Sequence, residues 1–179
     1  MDEIQQKELE YIRYLIRHIA YVQEAYSRLI VPLHGKGIVA DKSIEEAGDL
    51  VKVHDRTKFD AVEFYPYRKK FFPTSEEKSH SNWEELVKLE FHDAWEHHHE
   101  HNLHHPIQWT MDGEKKSMEE PYVLEMICDW DAMSHQFGTN LCEWYDNKAI
   151  EEKSHFTDET RELVDRLIDH LFRTPGIDW

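Results

Sequence analysis

Histidine is concentrated in one short stretch of this 179-residue chain. Six of the fourteen histidines lie between His97 and His105. Imidazole is the commonest side-chain ligand for zinc, iron, manganese and related metals, and a hydrophobic core has no need of so many rings. Composition alone does not decide the point, because a polar helix end can also be rich in histidine. The case for a metal site therefore depends on polar residues elsewhere in the chain.

Four polar residues outside this stretch interrupt or end predicted apolar helix faces: His18, His54, Asp55 and Asp129. His18 lies within the stripe of the first helix, and His54, followed at once by Asp55, ends the stripe of the second. An unpaired carboxylate on an apolar face is costly, so Asp129 needs a salt-bridge partner or a metal. A hydrogen-bonded core residue would explain each position alone, whereas together they predict one buried metal site.

Hydrophobic periodicity predicts that helices position these residues and gives no confident strand. The stretches 72–81 and 109–120 are predicted to be loops, and a capping-box pattern at Ser43–Glu46 is predicted to open the second helix. The fold class expected from this pattern is all-α. The predicted helices run over 3–31, from Ser43 towards His54, over 61–71, from Trp83 into the histidine run, over 121–137, over 141–150, and from Thr157 or Asp158 to Pro175 and Gly176.

Length and composition limit the function classes. A chain of 179 residues predicts one domain over residues 1–179. Its formal net charge of −16 disfavours a nucleic-acid polymer as a partner, and no apolar run approaches the ~20 residues that a membrane helix needs. The spacing of the two cysteines matches neither a zinc motif nor a redox pair, and the first residues do not resemble a signal peptide. We therefore expect a reduced, cytoplasmic protein.

The order of the candidate ligands resembles the HD superfamily of metal-dependent phosphohydrolases, all-helical proteins that are named for an adjacent His-Asp pair. The resemblance covers roughly His18 to Asp129. A narrower resemblance is to an uncharacterised HD-like family of bacteria and phages, whose motifs match residues 54–59 (His-Asp-Arg-Thr-Lys-Phe), 98–105 and 125–130 (Glu-Met-Ile-Cys-Asp-Trp). The resemblance to the HD superfamily implies a single HD-domain-like bundle of five to seven helices.

The superfamily pattern also implies which residues bind metal. Four residues would bind one metal ion: His18, His54, Asp55 and Asp129. In dinuclear members Asp55 would bridge to a second metal, for which His98 and either His104 or His105 match the expected ligands. The implied cofactor is a divalent transition metal (Mn, Fe, Co or Zn), with one or two ions per chain. A second His-Asp pair, His92-Asp93, is predicted to be an ordinary pair on a helix surface.

The implied activity is hydrolysis of a small phosphate ester, such as a nucleotide, by water that the metal activates. Asp55 and Lys58 are the predicted catalytic residues. Lys58 stands where many superfamily nucleotidases have an acidic residue, and it is similar to the lysine of the HD-x-G-K pattern in cyclic-dinucleotide phosphodiesterases, so it would hold a phosphate oxygen. Two alternatives stay open: a di-iron oxygenase of the same fold, like myo-inositol oxygenase, and a non-catalytic metal-binding domain with a structural or partner-binding role.

Overall fold

The computed structural model describes residues 1–111 and 113–174. These residues form two compact units. Unit 1 consists of Met1–Arg17 and Asp55–Asn102, and unit 2 consists of His18–His54 and the described residues from Leu103 onward. The single domain expected over residues 1–179 stays a prediction.

The regular secondary structure of the described residues is helical apart from one small hairpin, which confirms the all-α fold class. The hairpin pairs β1 (Thr110–Met111) with β2 (Glu114–Lys115) in antiparallel fashion. Two π-helical turns (Tyr26–Ile30, Asp169–Arg173) and three 3₁₀ turns (Val31–Leu33, Arg56–Phe59, Pro106–Trp109) accompany the α-helices. The α-helices of the described residues are α1 (Glu3–Ala25), α2 (Asp41–Lys52), α3 (Ala61–Phe71), α4 (Ser75–Ser79), α5 (Trp83–His101), α6 (Glu120–Phe137), α7 (Leu141–Asn147), α8 (Ile150–Ser154) and α9 (Asp158–Ile168).

Several sequence-based predictions of element bounds need correction. The described residues contain nine α-helices rather than five to seven, because α4 occupies a predicted loop and the helix predicted over 141–150 is divided into α7 and α8. The hairpin occupies the other predicted loop. The capping-box prediction for Ser43 was wrong: α2 begins at Asp41, and the Ser43 hydroxyl donates to Glu120 Oε2 at 2.8 Å. The predicted helix end at Pro175 and Gly176 lies outside the described residues.

Unit 1 has an aromatic core. Helix α1 contributes Tyr11 and Leu15, α3 contributes Tyr67, and α5 contributes Ala94. Four partly buried aromatic side chains pack around this cluster: Tyr14, Phe64, Phe72 and Phe91. Helices α3 and α5 pack against each other, and α3 begins just after the 3₁₀ turn that contains Lys58. The core therefore fixes the ends of the segments that bear Asp55, Lys58 and His98.

Unit 2 has an aliphatic core built mainly on α6, which packs against α2. Ten residues of α6 are buried, among them Leu124, Met126 and Ile127. Glu125 and Asp129 are four residues apart on this helix, so they share one face. A polar face on so buried a helix positions acidic groups inside the unit. None of the described helices is long and apolar enough to cross a membrane.

Candidate metal centre

Three predicted ligands of unit 2 meet at one point. His18 Nε2 lies 3.0 Å from Asp129 Oδ1 and 3.3 Å from His54 Nε2. The third side of this triangle, between His54 Nε2 and Asp129 Oδ1, measures 3.6 Å. Donor atoms that each lie about 2.1 Å from one metal are separated by about 3.0–3.4 Å in octahedral or tetrahedral coordination. The triangle therefore has the size of one face of a metal's coordination shell.

Glu125 orients two imidazoles of unit 2. Its Oε1 lies 2.9 Å from His54 Nδ1 and 3.5 Å from His104 Nδ1. When Nδ1–H of His54 donates to this carboxylate, Nε2 keeps its lone pair, and it faces Asp129. A carboxylate behind the imidazole is typical of metal-binding histidines, because it fixes the tautomer and the ring orientation.

The donor atoms of His54, His104 and Asp129 all lie within 4.8 Å of one another. His18, His54 and His104 are each only 2% exposed, and the Asp129 side chain is 16% exposed. Imidazole and carboxylate together suit zinc, iron and manganese. These buried histidines and Asp129 could therefore hold a metal ion, and their chemistry fits the divalent transition metal that the resemblance implies.

Asp129 carries its charge at neutral pH. Burial acts to raise the pKa of this carboxyl, but hydrogen bonding and charge from His18 and His54 outweigh burial and hold the pKa well below its ordinary value. A buried anion between two imidazoles needs a positive partner, which is either a protonated imidazole or a cation.

Unit 1 contains a second carboxylate–imidazole–aspartate arrangement. His98 Nδ1 lies 2.9 Å from Glu63 Oε2, and His98 Nε2 lies 3.3 Å from Asp55 Oδ1. The other oxygen of Glu63 lies 2.7 Å from His97 Nδ1. Burial acts to raise the pKa of Glu63, but the hydrogen bond and charge of His98, with further hydrogen bonds, lower it. Glu63 therefore orients His98 as Glu125 orients His54.

Asp55 has an uncommon backbone conformation. Its φ of 55° and ψ of 20° are left-handed, and it is the one non-glycine residue with positive φ among the described residues. The 3₁₀ turn that follows returns Lys58 towards it: Lys58 N donates to Asp55 O at 3.0 Å, and Lys58 Nζ donates to Asp55 Oδ2 at 2.6 Å. Lys58 is therefore not an ordinary solvated lysine.

The structure brings together the predicted site residues within each unit. Unit 2 brings together His18, His54, His104 and Asp129. The half-buried His105 packs against His104 in the same unit, with their ring centroids 4.1 Å apart. Asp55, Lys58 and His98 meet in unit 1. That both sets serve one dinuclear centre stays a prediction. His92 and Asp93 are exposed on α5, as expected of a pair on a helix surface.

Sequence reasoning missed the two orienting carboxylates. Glu125 had a usable signal, since it precedes Asp129 by four residues on an apolar helix. Glu63 had none, because an acidic residue in the first turn of a helix is common on protein surfaces. In the structure Glu63 is 0% exposed, so only the three-dimensional arrangement identifies it.

Comparison with known proteins gives one match. A family model with the description "Family of unknown function (DUF5662)" matches residues 7–170. All candidate ligands of both units lie within this range. No curated protein and no solved structure matches the chain.

Proposed function

Because this chain belongs to a family of unknown function, DUF5662, we propose its function from its own side chains: metal-dependent hydrolysis of a small phosphate ester such as a nucleotide. One observation carries the proposal. The Nε2 atoms of His18 and His54 and an oxygen of Asp129 form a buried triangle with sides of 3.0, 3.3 and 3.6 Å. Such a triangle has little use in a hydrophobic core, since it concentrates polar groups that need a cation.

Four residues of unit 2 would hold the metal: His18, His54, His104 and Asp129. A divalent transition metal, when bound, supplies a Lewis acid and a water molecule that is acidic near neutral pH. Glu125 keeps the rings of His54 and His104 in position. The mixed imidazole and carboxylate set is consistent with Mn, Fe, Co or Zn.

Asp55 and Lys58 would take part in catalysis. Asp55 follows His54 directly in the sequence, and its carboxylate is a hydrogen-bond and proton acceptor. Lys58 Nζ would hold a phosphate oxygen as a point charge. The chain as a whole has a charge of −16. A lysine ammonium beside the metal would nevertheless attract an anionic substrate locally. The same overall charge favours a small phosphate ester over a long polyanion.

The test combines elemental analysis with turnover. Protein is purified without added metal, its metal content is measured, and a panel of phosphate esters is then assayed under nitrogen after exchange with Mn, Co or Zn. We expect metal and anaerobic turnover in the wild type and a loss of both in His54→Ala and Asp129→Ala. His92→Ala is the matched control, because it removes an exposed histidine of α5 and should change neither quantity.

The outcomes separate the alternatives. Full metal content in both His54→Ala and Asp129→Ala would contradict the metal assignment. Bound iron with an oxygen-dependent spectrum and no anaerobic turnover would favour the di-iron oxygenase. Bound metal without turnover under either atmosphere would favour a non-catalytic metal-binding domain.

A further inference from the structure

Tyr11 carries a buried hydroxyl in unit 1 that has no hydrogen-bond partner among the described residues. The side chain is only 1% exposed. Its ring is well held, with ring centroids 5.2 Å from Phe64 and 5.7 Å from Phe72. A buried donor without an acceptor costs about 1–3 kcal/mol, and phenylalanine would fill the same space without that cost. The hydroxyl therefore indicates an acceptor that the described side chains do not supply.

The surroundings of Tyr11 include the residues proposed for catalysis. Tyr11 and Tyr67 belong to the same core cluster, and the Tyr67 ring centroid lies 5.6 Å from Lys58 Nζ. Lys58 in turn donates to Asp55. Burial, then the charges of Tyr67, Asp55 and Glu63, raise the pKa of Tyr11 far above its ordinary value. The phenol is therefore a neutral O–H donor at neutral pH.

A neutral donor in the same unit as a lysine suits a phosphate group. The ionised non-bridging oxygens of a phosphate are strong hydrogen-bond acceptors, and a phosphate ester is largely ionised at neutral pH. The lysine balances the charge, and the phenol supplies a directed hydrogen bond without adding charge. Lys58 already pairs with Asp55, and an ammonium has three protons, so it can also donate to a phosphate oxygen.

We propose that Tyr11 is a substrate-binding residue whose hydroxyl donates a hydrogen bond to an oxygen of the phosphate that Lys58 holds. This inference rests on the proposed phosphohydrolase function and adds to it a specific contact. It places the phosphate end of the substrate, rather than its organic part, beside the aromatic core of unit 1.

The test is the variant Tyr11→Phe, compared with wild type as purified with its own metal. Inorganic phosphate is titrated by calorimetry, and thermal stability is measured in phosphate-free buffer. We expect the affinity for phosphate to fall about tenfold, the loss of one hydrogen bond to a charged group. We expect metal content to stay unchanged, and stability without phosphate to be equal or higher, because the variant removes a buried polar group.

Tyr145→Phe is the matched control. Tyr145 is a buried tyrosine of unit 2 whose hydroxyl donates to Asp165 at 2.6 Å. Removing this hydroxyl should lower the stability of the protein and leave its affinity for phosphate unchanged. Tyr11→Phe should have the opposite effects.

Three results would overturn the inference, and they differ in what else they affect. Equal phosphate affinity in wild type and Tyr11→Phe removes the role of Tyr11 but leaves the proposed function intact if wild type still hydrolyses esters. Equal affinity together with lower stability of the variant shows that the hydroxyl binds an internal water instead. A wild type that neither binds phosphate nor hydrolyses any ester overturns both proposals.

Discussion

Glu125 lies behind two histidines of the candidate metal centre. A single oxygen, Oε1, lies within 3.5 Å of Nδ1 on both His54 and His104. The shorter contact orients the His54 ring and fixes its tautomer, and the longer contact places the same charge beside His104. Weakening that acceptor should affect metal binding more than it affects folding, since the surrounding residues of α6 remain packed.

We expect Glu125→Gln to lower metal affinity by roughly 10–100-fold, the usual effect of removing a residue that orients a ligand. The glutamine keeps the size of the side chain but removes the negative charge that strengthens both imidazoles as ligands. Competition with a chromophoric chelator would measure the change. Glu120→Gln is the control, because Glu120 lies on the same helix and its carboxylate accepts from Ala40 N and Ser43 Oγ rather than from an imidazole of the candidate site. Equal metal affinity in Glu125→Gln and wild type would contradict the orienting role.

Residue types indicated the candidate ligands more clearly than the carboxylates that lie behind them. His18 and Asp129 were found because polar residues on apolar stripes are rare and costly. Glu63 and Glu125 are two of 37 acidic residues in the chain, and most acidic residues lie at protein surfaces. Their burial is a property of the packing, so residue type and spacing could not separate them from the rest.

At the scale of elements, two similar capping motifs had opposite outcomes. Thr74–Glu77 forms a complete capping box at the start of α4, with Glu77 N donating to Thr74 Oγ1 at 3.1 Å and Thr74 N donating to Glu77 Oε2 at 2.7 Å. Sequence reasoning treated this stretch as a loop and assigned the box to Ser43–Glu46. There, Glu120 accepts from both Ala40 N and Ser43 Oγ, and a helix can start earlier because a distant carboxylate replaces its local cap.

The bounds of the helices also show which elements a local sequence pattern can predict. The prediction for α3 agreed with the structure over Ala61–Phe71, although the helix continues through Pro66 and the Asp60 side chain makes no capping hydrogen bond. α4 and α8 are five residues long, shorter than the windows over which a period can be recognised. α4 has a capping box and α8 has no side-chain cap, and each helix contacts another element.

Glu77 links α4 to α3, and its loss should be costly. It forms a two-point ion pair with Arg68, whose side chain is 4% exposed, with both N–O distances 2.6 Å. We expect Glu77→Gln to lower the free energy of unfolding at pH 7 by about 3 kcal/mol, because a buried guanidinium loses its counter-charge. Chemical denaturation of both proteins would measure it. Glu76→Gln, at the exposed neighbouring position of α4, should have little effect.

The effect of Glu77 should depend on pH in a defined direction. Burial acts to raise the pKa of Glu77, but hydrogen bonds from Arg68 and Thr74 lower it below its ordinary value. A depressed pKa in the folded state means that the stabilisation is fully present above the unfolded-state pKa, about 4.3, and is lost as pH falls through the folded-state value. The difference between wild type and Glu77→Gln should therefore be constant above about pH 5 and shrink in more acidic solution. A difference that grew on acidification would contradict the ion pair.

For the whole molecule, the all-α class followed from local periodicity and was confirmed. The division into two units was not predicted, since each unit combines segments that are separated in sequence. Unit 1 joins the start of the chain to residues 55–102, and no local pattern of residues records that association. Length alone therefore predicted one domain.

The net charge of −16 should make stability depend on ionic strength. Excess negative charge repels itself more strongly in a compact molecule than in an extended chain, and salt screens that repulsion. We expect Tm to rise by roughly 2–4 °C for each kcal/mol of relieved repulsion as monovalent salt increases from about 10 to 150 mM. Equal shifts in sodium chloride and choline chloride, measured by calorimetry, would identify screening. A fall in Tm would show that surface ion pairs outweigh the net repulsion.

The left-handed backbone of Asp55 also limits how the family can change over evolution. Aspartate, asparagine and glycine adopt this conformation readily, whereas β-branched and bulky residues do so at a cost. An aspartate codon becomes an asparagine codon by one base change, which removes the charge and keeps the turn. If Asp55 acts in catalysis as proposed, relatives that have lost the activity are expected to carry asparagine or glycine at this position and to keep the fold. A single base change at this codon could therefore remove the activity of a relative and leave its fold unchanged.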